Sequence, residues 1–382
     1  MDFESLFDIP IDDLHTPCYL TDARLLQKNT ALLKQIQQRT GCKILLAQKA
    51  FSMFSAYPLI RDDLAGTTAS GLFEAKLGRE HFGKEVHVFS PAYTQEDFTQ
   101  LLKLCDHIVF NSFGQWKKYR QQVQDATRNI SCGIRINPGY AEVETDLYNP
   151  CISGSRMGVP LEQMEDDFAG LDGIHFHTMC EQNSGVLERT LDHMLPQFDK
   201  WLKRCKWVNF GGGHHITRPD YDVERLVRCI ERVRDTYGVQ VYLEPGEAVA
   251  LNAGYLVATV LDVIHNGMDI AILDASAACH MPDVLEMPYR PHILYSGTAG
   301  EKAYTYRLAG NTCLAGDVIG DYSFDHQLQA GEKLVFCDMA IYSMVKNNTF
   351  NGVPLPDIAL YQDGQIQLVK RFGYIDFEGR LS

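Results

Sequence analysis

Four short apolar runs in the 382-residue sequence end in side chains or backbone suited to chemistry. KILLAQKA (43–50) closes on Lys49, GIHFHT (173–178) carries His175 and His177, and WVNFGGG (207–213) ends in Gly211, Gly212 and Gly213. VQVYLEP (239–245) delivers Glu244, followed by Pro245, Gly246 and Glu247. A lysine at the end of an apolar strand is partly desolvated, which favours its neutral, nucleophilic form and an imine with an aldehyde. Three consecutive glycines offer bare backbone N–H groups that can approach an anion such as phosphate. His177 can lie flat against a cofactor ring, and Glu244 can pair with a pyridine nitrogen and keep it protonated. Each also has a plainer reading. These are a lysine snorkelling to solvent, a tight turn, a histidine hydrogen-bonded in place and an exposed loop acid.

The elements that must position these residues are visible in the surrounding pattern. GTTAS (66–70), EVHVFS (85–90), HIVFNS (107–112) and CGIRINP (132–138) bring the apolar runs to eight, separated mostly by helix-length connections. Between the last two runs, Leu226, Ile230, Val233 and Tyr237 follow the spacing of an amphipathic helix packed on a sheet. Eight such units predict an α/β fold, a closed parallel (β/α)8 barrel of the TIM type over residues 23–250, with a doubly wound open sheet as the alternative. After residue 250 the runs become β-rich and turn-punctuated, predicting a second, all-β domain over 251–382. Residues 1–22, with the strand-like CYLTD (18–22), are expected to complete it. In a parallel barrel the active site lies at the C-terminal strand ends. Lys49, His177, the glycine triplet and Glu244 then fall at the corresponding ends of strands one, six, seven and eight. Imine former, ring support, phosphate cradle and pyridinium partner are together what pyridoxal 5'-phosphate demands.

Composition narrows the partners. With 35 basic against 49 acidic side chains, the net charge of −14 disfavours nucleic acid and suits a cationic small molecule. Eleven cysteines are scattered singly, without a C-x-x-C pair or a Cys/His cluster at metal-ligand spacing, so reduced thiols and no metal centre are expected. The N-terminal MDFESLFDIPIDD lacks the pattern of a signal peptide, and the longest apolar stretch (248–264) is interrupted by Asn252, Gly254 and Asp262. A cytoplasmic protein without a membrane span is expected.

Read in order, the blocks TPCYLTD, ILLAQKAFS, ASGLFEAKLG, GIHFHTMCEQN, NFGGGHHIT, LEPGEAVA, GNTCLAGDVI and FGYIDF extend through nearly the whole chain. In them the sequence resembles the barrel-fold pyridoxal phosphate decarboxylases that include the ornithine, arginine and diaminopimelate enzymes. Within that group it looks most like the branch acting on carboxynorspermidine and carboxyspermidine. The resemblance implies that Lys49 bonds the cofactor aldehyde, His177 stacks on its ring, Glu244 meets the pyridine nitrogen, and Gly211 to Gly213 with Tyr374 hold the phosphate. It also implies a homodimer with shared active sites, in which Cys313 of one subunit serves the other as a proton donor. Two departures stand out. Glu247 occupies the position at which many members carry a phosphate-binding arginine, and Leu314 the position at which the ornithine and diaminopimelate enzymes carry an acid. A carboxylate beside the cofactor suits a substrate with several ammonium groups, which makes Glu247 a candidate substrate ligand. A second amine ligand is expected in DASAACHMPDVLEMP, from Asp274, Asp283 or Glu286. Asp283, resembling the amine-binding aspartate of that branch, is favoured, with His280 shaping the pocket or serving the fold. The rivals are a decarboxylase of diaminopimelate, ornithine or arginine, and a non-catalytic regulator that has lost cofactor binding. Retention of Lys49, His177, Glu244 and Cys313 counts against the regulator.

Overall fold

The eight apolar runs form eight parallel strands. In the computed structural model, which describes Glu4 and residues 7–382, they are β1 (Lys43–Ala47), β2 (Gly66–Ala69), β3 (Glu85–Phe89) and β4 (His107–Phe110), then β5 (Ser131–Asn137), β6 (Gly173–His175), β7 (Trp207–Asn209) and β8 (Gln240–Leu243). Residues 1–3, 5 and 6, part of the stretch expected to complete the β-rich domain, lie outside the described residues. Each strand pairs in parallel with the next, and β8 pairs with β1, so the sheet closes on itself. Closure excludes the open doubly wound sheet. The described residues divide into two compact units, Gln27–Val249 and a second made of the chain up to Leu26 with Ala250–Ser382.

Inside the barrel the side chains alternate as a pleated strand requires. Leu45, Val109, Trp207 and Tyr242 form its apolar interior. The Trp207 indole fits because two neighbouring strands present glycine: a Cβ on Gly173 would lie 2.1 Å from the ring and one on Gly133 2.2 Å. The helix Val223–Tyr237 buries Leu226, Ile230 and Val233 and leaves Tyr237 half-buried. It starts at Asp222, whose side chain accepts from the Arg225 N–H, and stops at Gly238, where φ is +68°.

The second unit is a nine-stranded mixed sheet, mostly antiparallel. Its long strand Gly254–His265 pairs antiparallel with Cys18–Asp22, Asp269–Leu273 and Lys333–Cys337. Cys18–Asp22 in turn runs parallel to Asp357–Gln362. One face packs around Tyr19, Leu256, Val260, Phe324 and Phe336, and short helical turns such as Ala277–His280 and Asp283–Glu286 decorate it.

Candidate active site

Lys49 lies in the turn that leaves β1. The chain leaving β8 runs beside it: the Ala47 N–H donates to the Pro245 carbonyl at 3.3 Å, and a Cβ on Gly246 would sit 2.5 Å from that of Ala50. Gly246 is thus needed for close approach, which brings Glu244 and Glu247 to the same rim as Lys49. The Lys49 side chain is accessible to solvent, yet its pKa is lowered. Burial contributes most and the Arg135 guanidinium adds to it, against Glu244, Glu74 and Glu247. Accessibility and desolvation coexist for a group in a hollow, where water touches one side and protein fills the others. The neutral amine needed for condensation with an aldehyde is therefore favoured.

Glu244 is buried, its Oε1 accepting from the Asn209 amide at 2.8 Å and its Oε2 lying 3.2 Å from His175 Nε2. Burial opposes the charged form, but the His175 contact and the Asn209 amide hold the carboxyl below the ordinary carboxylate range. That hold is greatest where the imidazole is charged, whereas burial lowers the pKa of His175 itself. The arrangement consistent with both is a neutral His175 donating Nε2–H to an ionised Glu244. An ionised carboxylate fixed by two donors is suited to a protonated ring nitrogen.

His177, half-buried two residues past β6, accepts the Gly212 N–H on Nδ1 at 3.1 Å. Burial first, then the charges of Lys49 and Arg135, push its pKa well down, so the ring is neutral and its tautomer is fixed by the Gly212 bond. The triplet tolerates no side chain. A Cβ on Gly211 would lie 2.5 Å from the Phe176 carbonyl oxygen, one on Gly212 2.7 Å from that of Glu244, and one on Gly213 2.0 Å from that of Met179. Gly211 and Gly213 have φ of +69° and +82°. Glycine is thus required for both conformation and space, and the bare backbone forms a recess beside the ring-supporting histidine. These features fit pyridoxal phosphate: an activated amine, a buried anion, a neutral flat ring and a backbone recess on one barrel rim.

Two contributors escaped the sequence reading. Arg135 on β5 is buried, stacks over the Phe89 ring at 4.6 Å and donates to the His177 carbonyl oxygen at 3.2 Å. Burial lowers its pKa to about 10, which leaves it charged beside Lys49. Asn209 on β7 also accepts the Gly211 N–H at 2.8 Å, linking the acid to the glycine turn. The signal for both was a polar residue on the inward face of an apolar strand. Glu247 meets His215, whose Nε2 lies 3.2 Å from its Oε2.

The remaining candidates belong to the second unit. Asp283 is half-buried and ion-paired with Lys346, which also reaches Glu286 at 2.7 Å. Asp274 accepts from Thr16 at 2.6 Å and from the Thr259 N–H at 2.7 Å, so both its oxygens are engaged. His280 is fully buried; its Nδ1 accepts the Ser276 N–H at 3.1 Å and its Nε2 lies 3.1 Å from the Pro354 carbonyl oxygen. Cys313 is exposed, its N–H held by Asn351 at 2.7 Å, and Tyr374 opens the short helix Tyr374–Glu378 with its side chain exposed.

Lower in the barrel than the site, Glu85 and His107 at strand starts and His87 in mid-strand bring possible ligand atoms within 4.8 Å of one another. The two imidazoles stack at 3.9 Å with planes only 7° apart, so their in-plane lone pairs run parallel instead of converging on one ion. Lys43 already neutralises Glu85. The cluster is built as a floor of stacked rings and an ion pair. No helix of the described residues is long and apolar enough to cross a membrane.

Comparison with known proteins gives the family of the chain. The family model described as pyridoxal-dependent decarboxylase, C-terminal sheet domain, matches residues 18–340. The chain is 42% identical over 382 residues to the carboxynorspermidine/carboxyspermidine decarboxylase of Campylobacter jejuni, spanning 97% of this chain and 99% of that one. It is also 42% identical over 375 residues to the carboxyaminopropylagmatine decarboxylase of Synechocystis sp., spanning 97% and 96%. Among solved structures, carboxynorspermidine decarboxylase from Campylobacter jejuni, complexed with norspermidine, superposes with a TM-score of 0.89 at 41% identity, covering 96% of this chain and all (100%) of that one.

Proposed function

The chain belongs to the pyridoxal-dependent decarboxylases that carry a C-terminal sheet domain, and from that membership we propose that it decarboxylates carboxynorspermidine and carboxyspermidine, releasing CO2 with norspermidine or spermidine. The observation that carries the reading is the meeting, at the seam between β1 and β8, of an amine with a lowered pKa and a buried, ionised carboxylate. When bound, pyridoxal phosphate supplies an aldehyde for the substrate amine and a ring that takes up the electrons left when the α-carboxylate departs as CO2.

Lys49 is the residue that holds the cofactor through its Nζ and yields to the substrate amine. Glu244, kept ionised by Asn209 and neutral His175, holds the ring nitrogen in its protonated form. His177 supports the ring face, and the N–H groups of the triplet, joined by the Tyr374 hydroxyl, bind the phosphate. Glu247 and Asp283 bind the ammonium groups of the polyamine, while Asp274 and His280, already hydrogen-bonded within their own unit, brace the segment that presents Asp283. For Asp283 to take a substrate ammonium, Lys346 must give way or share the pair of acids.

The protein is proposed to act as a homodimer, with Cys313 of one copy donating a proton at the other's barrel. Exposed apolar side chains of the same unit support this: Leu314 is 44% exposed, Tyr374 70% and Ile375 80%. Carboxynorspermidine and carboxyspermidine differ by one methylene, a difference worth about 1–3 kcal/mol in a pocket, so both are accepted. The equal identity to a carboxyaminopropylagmatine enzyme favours a second reading, a guanidinium at the far end of the substrate. Protein loaded with cofactor is incubated separately with the three carboxylated polyamines, diaminopimelate and ornithine, and CO2 is followed. Turnover of carboxynorspermidine at least tenfold above the others, carboxyspermidine excepted, is expected. Preference for carboxyaminopropylagmatine would establish the second reading, and preference for an amino acid would overturn both.

A further inference from the structure

His215 lies two residues past the glycine triplet, 8% exposed, and the roles described above leave it unused. Its backbone is well held: its N–H donates to the Gln182 carbonyl at 3.2 Å, and its own carbonyl accepts the Arg218 N–H at 2.9 Å. Nε2 lies 3.2 Å from Glu247 Oε2, close enough for an ion pair although not aligned as a hydrogen bond, and Nδ1 has no hydrogen-bond partner. The charged groups that face the ring are Glu247, Glu181 and Arg218. Burial disfavours an imidazolium, but the adjoining carboxylates outweigh it and the pKa is raised.

Glu247 opens the four-residue helix Glu247–Ala250 directly after Glu244, Pro245 and Gly246. The Glu244 carbonyl oxygen packs against Gly212, where a Cβ would lie 2.7 Å from it. The His215–Glu247 contact therefore ties the glycine turn to the segment leaving β8, and it sets a carboxylate close to a recess assigned to an anionic group. An unpaired carboxylate there would repel phosphate.

Resting on the pyridoxal phosphate reading above, we propose that His215 and Glu247 act as one neutral pair. The imidazolium cancels the carboxylate's charge, so that an acid can stand beside the phosphate cradle and still be aimed at a substrate ammonium. His215 is in this account a positioning residue that acts through Glu247.

The test compares binding of pyridoxal phosphate and of pyridoxal, which lacks the phosphate, to cofactor-free protein by visible imine absorbance. The wild type, His215→Gln, Glu247→Gln and the double variant are each titrated. His215→Gln is expected to weaken pyridoxal phosphate binding about tenfold, the ratio set by 1.4 kcal/mol of uncompensated charge, and to change pyridoxal binding less than about twofold. Glu247→Gln stays near the wild type for both aldehydes, and the double variant recovers most of the lost phosphate affinity. Equal loss for both aldehydes, no loss, or failure of the second substitution to rescue the first would overturn the pair. His215→Asn gives the same comparison if glutamine does not pack. Wild-type protein that binds neither aldehyde would instead overturn the cofactor reading, and the pair with it.

Discussion

Replacing Gly213 with alanine separates a cofactor cradle from an ordinary turn. The new methyl group would sit 2.0 Å from the Met179 carbonyl oxygen and 2.3 Å from its carbon, backbone atoms that cannot rotate away. Gly213 also has φ +82°, which an L-residue adopts at a cost of about 1–2 kcal/mol. Relieving the overlap adds about 1–3 kcal/mol, and relief comes only by moving the strand-end backbone that carries the binding N–H groups. Gly238 supplies the control: its φ is +68°, but a methyl group there meets nothing within 4 Å. Gly238→Ala therefore isolates the conformational part, and the difference between the two variants isolates the contact. At about 2–4 °C per kcal/mol for a unit of this size, Gly213→Ala should melt roughly 2–12 °C below Gly238→Ala, both measured without cofactor. Its pyridoxal phosphate affinity should fall at least tenfold, while that of Gly238→Ala stays within about twofold of wild type. Equal melting temperatures with unchanged affinity would refute the assignment of the triplet as a tight-fitting cradle.

Other perturbations test the remaining groups. Lys49→Ala should abolish both turnover and the visible imine absorbance, and a variant that still decarboxylates at near-normal rate would remove the central assignment. Arg135→Met takes away a positive charge that lowers the Lys49 pKa. The pH midpoint for condensation of cofactor-free protein with pyridoxal phosphate should therefore move up; a downward or absent shift would show that Arg135 does not act on Lys49. Glu247→Gln should raise the KM for carboxynorspermidine about tenfold or more, with cofactor affinity nearly unchanged, and the reverse ranking would mean that Glu247 is not an amine ligand. Cys313→Ala should slow or misdirect protonation of the product carbon, read as deuterium incorporation and by-product formation; unchanged rate and products would assign the proton to another donor.

The sequence revealed those parts of the barrel rim in which chemistry and punctuation coincide. Lys49, the glycine triplet and Glu244 each stand at the end of an apolar run, so their positions could be read one strand at a time. Arg135 and Asn209 could not, because each is a single polar residue inside an otherwise apolar run, and their roles depend on register between strands. Register pairs Arg135 with His175 and His175 with Asn209, placing three polar side chains from β5, β6 and β7 in one inward layer. The layer beneath is apolar and closed by Trp207, which fits only because Gly133 and Gly173 precede Arg135 and His175 by two residues on the same faces. That period-2 pairing of glycine with a polar residue was present in CGIRINP and GIHFHT. It acquires meaning once the sheet is known to close, since closure turns those faces toward a common interior. The same reasoning explains the balance of charge at the rim. Arg135 brings positive charge beside Lys49 to a rim that must also keep Glu244 ionised. His175 and Asn209 achieve this as hydrogen-bond donors to its two carboxylate oxygens, from strands that flank the buried acid.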